Sequence, residues 1–149
     1  MIYLASDHAG FELKEEIKKY LLGLGMEVED MGAFRFDPDD DYPDFVRLAA
    51  QAVANDPERS RGIVLGGSGQ GEAIAANKVQ GIRAAVYYGG PLDIVKLSRT
   101  HNDANILSLG ARFLTAEQAI EAVKVWLATP FEGGRHERRI LKIEKLEID

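Results

Sequence analysis

The residues of this chain best suited to chemistry are gathered in Gly62-Ile63-Val64-Leu65-Gly66-Gly67-Ser68-Gly69-Gln70-Gly71-Glu72, where four glycines fall within six positions ahead of a carboxylate. The apolar run Ile63–Leu65 reads as a buried strand, and the Ala-rich stretch that follows Glu72 has good helix propensity. A strand, a glycine turn and a helix start aim several unpartnered backbone N–H groups at one point, where the helix dipole also favours negative charge. Such a loop is an anion site. It is neither GxxxxGK[ST] nor G-x-G-x-x-G, since Gly67, Gly69 and Gly71 give G-x-G-x-G, so two familiar nucleotide loops are excluded. Glu72 sets this loop apart, although on spacing alone it also reads as an ordinary first-turn acid complementing the dipole in water.

Further candidates lie elsewhere in the chain. Asp7 and His8 follow a short apolar segment, at the kind of strand end that carries function. His101 stands one turn beyond Leu97 and fits either a helix C-terminus or a site. Arg135 and Arg139 are four apart on one helical face, which suits a solvated basic stripe or a phosphate clamp. His136 and Arg138 point elsewhere. In a chain of formal net charge −6, convergence of His8, Arg112, Arg135 and Arg139 would make a positive pocket fit for a phosphate.

These groups need a scaffold, and 149 residues are enough for one domain, taken as 1–149, with a sizeable core. The acidic balance argues against nucleic-acid or membrane-surface partners. No run is apolar enough to span a bilayer and no leader pattern is evident. Cysteine is absent, which removes disulfides, thiolate metal sites and thiol nucleophiles. A cytoplasmic protein is expected.

Strand candidates are Met1–Ala5, Glu27–Asp30, Ile63–Leu65, Arg83–Tyr87 and Asn105–Leu109. Between them run helical patterns. Leu13, Ile17, Tyr20, Leu21 and Leu24 form the first apolar stripe, and Phe45, Leu48, Ala49, Ala52 and Val53 the second, opened by Tyr42-Pro43. Asp37-Pro38-Asp39-Asp40-Asp41 reads as a solvated turn. A later helix carries Ile94, Leu97 and His101. Thr115 to Gln118 is a capping box before Ala119, Ile120, Val123 and Leu127. A last helix, with Ile140, Ile143 and Leu146, has no strand after it and is expected to meet a second subunit. Alternating strands and helices predict an α/β fold: a parallel Rossmann-like sheet covered on both faces, with an extra C-terminal helix. Ligands of such folds sit beyond the carboxyl ends of the strands, which gathers Asp7, His8, Gly66 to Glu72, and Arg112 on one rim.

Ser6-Asp7-His8-Ala9-Gly10-Phe11, Tyr42-Pro43, the glycine loop with Asn77-Lys78, Gly81-Ile82-Arg83-Ala84, Arg99-Thr100-His101-Asn102-Asp103-Ala104-Asn105 and Gly133-Gly134-Arg135-His136-Glu137-Arg138-Arg139 together resemble ribose-5-phosphate isomerase type B. That family is grouped with the galactose- and allose-6-phosphate isomerases. The resemblance runs from Met1 through the last helix. It implies a three-layer α/β/α sandwich around five parallel strands, and a homodimer with a shared site, with dimers able to pair further. Residue by residue, it implies that His8, Arg112, Arg135 and Arg139 hold the phosphate, and that Asp7, Tyr42 and Asn102 contact the sugar. Ser68 and His101 would open the furanose ring, and the amides from Gly67 through Gly69, Gln70 and Gly71 would stabilise an enediolate. Arg112, His101 and Asn102 are the residues expected to cross between subunits.

One departure matters. Many members carry a catalytic cysteine at the position of Gly66, whereas a branch resembling the actinobacterial enzymes lacks it and has a glutamate at the position of Glu72. The match to that branch implies that Glu72 is the base of an aldose–ketose isomerisation, which needs one group to take a proton from C2 and return it to C1. No cofactor and no metal enter this scheme. The alternatives are an isomerase of a six-carbon sugar phosphate, a metal-assisted hydride shift using His8, His101 and nearby acids, and a phosphosugar-binding sensor without turnover.

Overall fold

In the computed structural model, which describes residues 1–147, five short segments form one parallel sheet: Ile2–Ser6 (β1), Val28–Asp30 (β2), Arg61–Gly66 (β3), Ala84–Tyr87 (β4) and Ile106–Gly110 (β5). β1, β3 and β5 are near-continuous apolar runs because both faces are covered. The order across the sheet is β2-β1-β3-β5-β4. The chain therefore turns one way from β1 to β2 and the other way to β3, so the β1/β3 junction is the topological switch point where such folds bind ligands. Ser6 lies beside Leu65 and Gly66 beside Gly110, bringing three strand ends out together.

Helices Phe11–Gly23 (α1), Asp93–Thr100 (α4) and Ala116–Ala128 (α5) cover one face, joined to the sheet by Leu13, Ile17, Leu21, Val95, Val123 and Trp126. Helices Tyr42–Asn55 (α2) and Gln70–Asn77 (α3) cover the other through Val46, Ala49, Val53 and Ala76. The expected three-layer sandwich is present. The capping box is too, with Gln118 N–H donating to Thr115 Oγ1 (3.1 Å) and Thr115 N–H to Gln118 Oε1 (2.9 Å). The last helix, Arg135–Lys145 (α6), lies outside both layers. It is held by buried Ile140, by Arg83 paired to Glu144 (3.6 Å), and by Gly81 N–H donating to Glu147 (3.0 Å).

Several apolar stripes differ from the expected faces. On α2 the buried positions are Val46, Ala49, Ala50 and Val53, an i, i+3, i+4, i+7 set, while Phe45, Leu48 and Ala52 are only half-buried. Leu24 follows α1 as its cap residue and is exposed. On α4 the face is turned over: Val95, Ser98 and Arg99 are buried, and Ile94 and Leu97 face outward. Ile143 and Leu146 of the last segment are exposed as well. A composition-based stripe cannot tell a core face from a face that awaits another surface.

Candidate active site

At the switch point β1 hands the chain to Asp7 and a 3-10 turn, His8–Gly10. Asp7 is buried and caps that turn, its Oδ1 accepting from the N–H of Ala9 (3.0 Å) and Gly10 (3.3 Å). β3 hands the chain to Gly67-Ser68-Gly69. Gly69 has φ +79°, and a Cβ on it would lie 2.9 Å from the carbonyl carbon of Leu109, backbone that cannot yield. Ser108 Oγ donates to Gly69 O (2.6 Å), tying the loop to β5, and Ser68 Oγ accepts from Gln70 N–H (3.3 Å).

Glu72 is not a solvated first-turn acid. It is 4% exposed, and its carboxylate fills the space in front of Gly66: a Cβ built on Gly66 would overlap it, with even the farther oxygen, Oε2, at 2.6 Å. Burial pushes the Glu72 carboxyl above the usual carboxylate range. Backbone N–H groups of Glu72 and Gly69 pull it down, the neighbouring Asp7 charge adds to the rise, and the net direction is upward. A carboxylate kept partly poised for protonation is suited to moving a proton.

The rest of the rim closes around it. Tyr42, at the first position of α2, lays its hydroxyl against Gly71, so a Cβ at 71 would displace the Tyr42 ring. The Arg112 guanidinium lies about 3.0 Å from where a Gly67 Cβ would stand. His8 is held by Asp40, whose Oδ1 lies 2.7 Å from His8 Nδ1, and this hydrogen bond raises the His8 pKa against burial and the Arg112 charge. Asp7, His8, Tyr42, Gly67, Ser68, Gly69, Gln70, Gly71, Glu72 and Arg112 therefore belong to one rim of one chain.

His101, Asn102, Arg135 and Arg139 do not. Asn102 precedes β5 and its carbonyl accepts from Arg83 Nε (3.2 Å), just ahead of β4, so this group sits at the amino ends of the strands. Five residues of β5 separate the two ends, roughly 16 Å at about 3.3 Å per residue. His101 stacks on buried His136, ring centroids 4.1 Å apart, and so joins the start of α6, where Arg135 and Arg139 are exposed. Among the described residues, Arg112, Arg135 and Arg139 make no ion pair. Within one chain the sheet separates Arg112 from His101 and Asn102, and the arginines nearest His101 in the chain fold are those of α6.

Several residues of the quoted motifs build rather than act. Buried Arg99 donates to Asp103 Oδ1 (2.8 Å), to Ala104 O (2.7 Å) and to Thr129 O (3.1 Å), shaping the turn that presents His101. Asn77 pairs both ways with the Ala84 backbone (3.1 and 2.8 Å), and Asn105 Oδ1 accepts from Arg83 N–H (2.8 Å). Two groups of three possible metal donors occur, Asp7–His8–Asp40 and His101–Glu132–His136. In the first, Asp7 Oδ1, His8 Nδ1 and Asp40 Oδ1 are engaged in the hydrogen bonds above, while Asp40 Oδ2 is buried without a partner. In the second the two imidazoles are stacked, their planes 16° apart. The residue that sequence reasoning missed is Asp40. A run of Asp and Pro signals a turn, and nothing in it marks which carboxylate folds inward.

Fold and site define an α/β protein with an anion loop and a buried carboxylate at its switch point, the equipment of an acid–base enzyme for an anionic substrate. The ribose/galactose isomerase family model matches residues 2–143. The ribose-5-phosphate isomerase B of Mycolicibacterium paratuberculosis is 47% identical over 140 residues, 93% of this chain and 86% of that one. The crystal structure of ribose-5-phosphate isomerase B from Mycoplasma genitalium with bound ribulose-5-phosphate has a TM-score of 0.94 at 42% identity, covering 98% of this chain and 95% of that one. The Thermotoga maritima ribose 5-phosphate isomerase structure gives 0.90 at 49% identity, over 97% of each chain. This chain belongs to the ribose/galactose isomerase family.

Proposed function

We propose that this protein interconverts ribose 5-phosphate and ribulose 5-phosphate through an enediolate, with Glu72 as the proton carrier. The observation that carries the reading is the Glu72 carboxylate seated in front of Gly66, inside the anion loop at the switch point. The substrate assignment draws on the relatives, which are ribose-5-phosphate isomerases B along nearly their whole length.

In this scheme Ser68 and His101 pass protons between the ring oxygen and the anomeric hydroxyl, giving the open-chain aldose. Glu72 takes the proton from C2, the electrons move onto the carbonyl oxygen, and loop amides from Gly67 to Gly71 meet the charge, an effect worth about 3–4 kcal/mol per donor. A proton passes from O2 to O1, and the carboxylic acid returns its own proton to C1 as C2–O2 becomes the ketone, leaving the ketose and the carboxylate as it began. Asp7 and Tyr42 contact the sugar, and His8 and Arg112 hold the phosphate from the same chain.

His101, Asn102, Arg135 and Arg139 complete the site from a second copy of the chain. Their distance from Glu72 within one chain supports this, as does the exposed apolar set Ile74, Tyr88, Ile94, Leu97 and Phe113 beside the β4 edge. A homodimer, itself able to pair, is the expected assembly. A cytoplasmic setting fits a chain without cysteine, and among the described residues no helix is long and apolar enough to cross a membrane. A coupled isomerase assay across ribose 5-, allose 6- and galactose 6-phosphate tests the substrate. Ribose 5-phosphate should be turned over at least tenfold more efficiently, and a preference for a hexose phosphate would overturn the assignment.

A further inference from the structure

We propose that Asp40 is a positioning residue for this reaction. It holds His8 as a doubly protonated imidazolium, with Nδ1–H tied down and Nε2–H left to donate to the substrate phosphate. The inference rests on the reading of His8 as a phosphate contact.

One oxygen of Asp40 grips His8 at two points, 32 residues apart in sequence: Oδ1 accepts from the backbone N–H (3.0 Å) and lies 2.7 Å from Nδ1. A carboxylate can only accept here, so Nδ1 must carry a hydrogen, and Nε2 then has one only if the ring is charged. The Asp40 side chain is 9% exposed, far from a solvated turn. Phe36, on the same loop, meets the imidazole edge-on at 6.2 Å.

The other end of that loop is fastened as firmly. Fully buried Lys14 donates to Asp30 Oδ1 (2.7 Å) and to Ala33 O, Ser6 N–H donates to Gly32 O (2.8 Å), and Ala33 N–H donates to Ser6 O (2.7 Å). The charged groups around His8 are Asp40 and Asp7, which favour the imidazolium, and Arg112, which opposes it together with burial. Asp40 is the member of this set that touches the ring and so decides both its charge and its direction.

Asp40→Asn keeps the shape and the acceptor but removes the charge. Its KM for ribose 5-phosphate should rise about tenfold at a pH between the His8 midpoints of wild type and variant, the loss of about one charge-assisted hydrogen bond. The rise should be much smaller at pH 6, where the variant's His8 is also protonated, and kcat should stay within about twofold. The imidazole C2–H signals of the chain's three histidines, assigned with His8→Ala, read the same point directly. His8 should titrate above the ordinary histidine value of about 6.5 in the wild-type protein and lower in Asp40→Asn. A wild-type His8 that titrates at or below that value overturns the proposal even if the variant does not fold. His8→Ala separates the two claims. Unchanged KM in His8→Ala removes the phosphate role itself, whereas raised KM in His8→Ala with unchanged KM in Asp40→Asn removes only the role of Asp40.

Discussion

Gly66→Ala probes the carboxylate at the site without touching it. A Cβ at position 66 would stand 2.6 Å from Glu72 Oε2 and nearer still to Cδ and Oε1, while ordinary contact begins at 3.4 Å. The farther oxygen alone must therefore withdraw by about 0.8 Å, and the rest of the carboxylate by more. Misplacement by about 1 Å lowers turnover roughly 10²-fold when reacting groups must be aligned, so kcat for ribose 5-phosphate should fall by about 10² or more. Stability should barely change. The atoms in the way are the end of a flexible side chain rather than backbone, and Gly66 is not in the left-handed region. A shift within about 1 kcal/mol moves the melting temperature by about 2–4 °C in a chain of this size. KM should change little, because the phosphate contacts lie elsewhere. A coupled assay together with thermal denaturation measures all three quantities. Near wild-type kcat in a folded Gly66→Ala protein would refute the placement of Glu72 as base. Gly66→Cys should behave like Gly66→Ala, because a thiol also needs its own activating surroundings.

Other outcomes follow from the same geometry. Arg139→Ala should raise KM for the sugar phosphate at least tenfold with a smaller effect on kcat, and unphosphorylated ribose should be a very poor substrate; equal turnover of ribose and its 5-phosphate would defeat the phosphate assignment. Glu72→Gln and His101→Ala protomers, each nearly inactive alone, should regain activity on mixing, because one of the two sites in the mixed dimer then receives both intact residues; no recovery in a verified mixed dimer counts against a shared site. The buried Glu72 also predicts a pH signature in stability. Its folded pKa is raised above the unfolded value, so its contribution is fully present below the unfolded pKa and is lost as pH rises through the folded one. Glu72→Gln should therefore melt higher than wild type at pH 8, with the gap closing toward pH 4. A gap of opposite sign would mean that the carboxylate is stabilised by its surroundings.

The sheet was legible because β1, β3 and β5 are short, mostly apolar runs and because helices separate them. Even the three-residue β2 was marked by its place in that alternation. Periodicity misled on α4, where Ile94 and Leu97 are as apolar as core residues yet face outward, since hydrophobicity alone does not say which surface will cover a residue. Glu72 shows the same limit within the site. Its first-turn position fits a solvated acid, and only the empty space above a glycine six residues earlier turns the carboxylate inward. Asp40 had three other aspartates beside it in its loop, and its bond to His8 depends on how Lys14 and Asp30 fasten that loop. The split between the Glu72 rim and the His101 group was equally hidden. It follows from parallel strand direction and only appears once Asn102 is fixed at one end of β5 and Arg112 at the other.

The most direct test of the account is the turnover of Glu72→Gln with ribose 5-phosphate, measured beside the binding of the same substrate. The substitution keeps size and shape and removes the proton acceptor. The account predicts that kcat falls by about 10² to 10⁴, the scale of a lost positioned base, while the dissociation constant stays within about threefold because His8, Arg112 and the loop amides are untouched. Turnover within tenfold of wild type would contradict it and place the base on another group, Asp7 being the carboxylate nearest at hand.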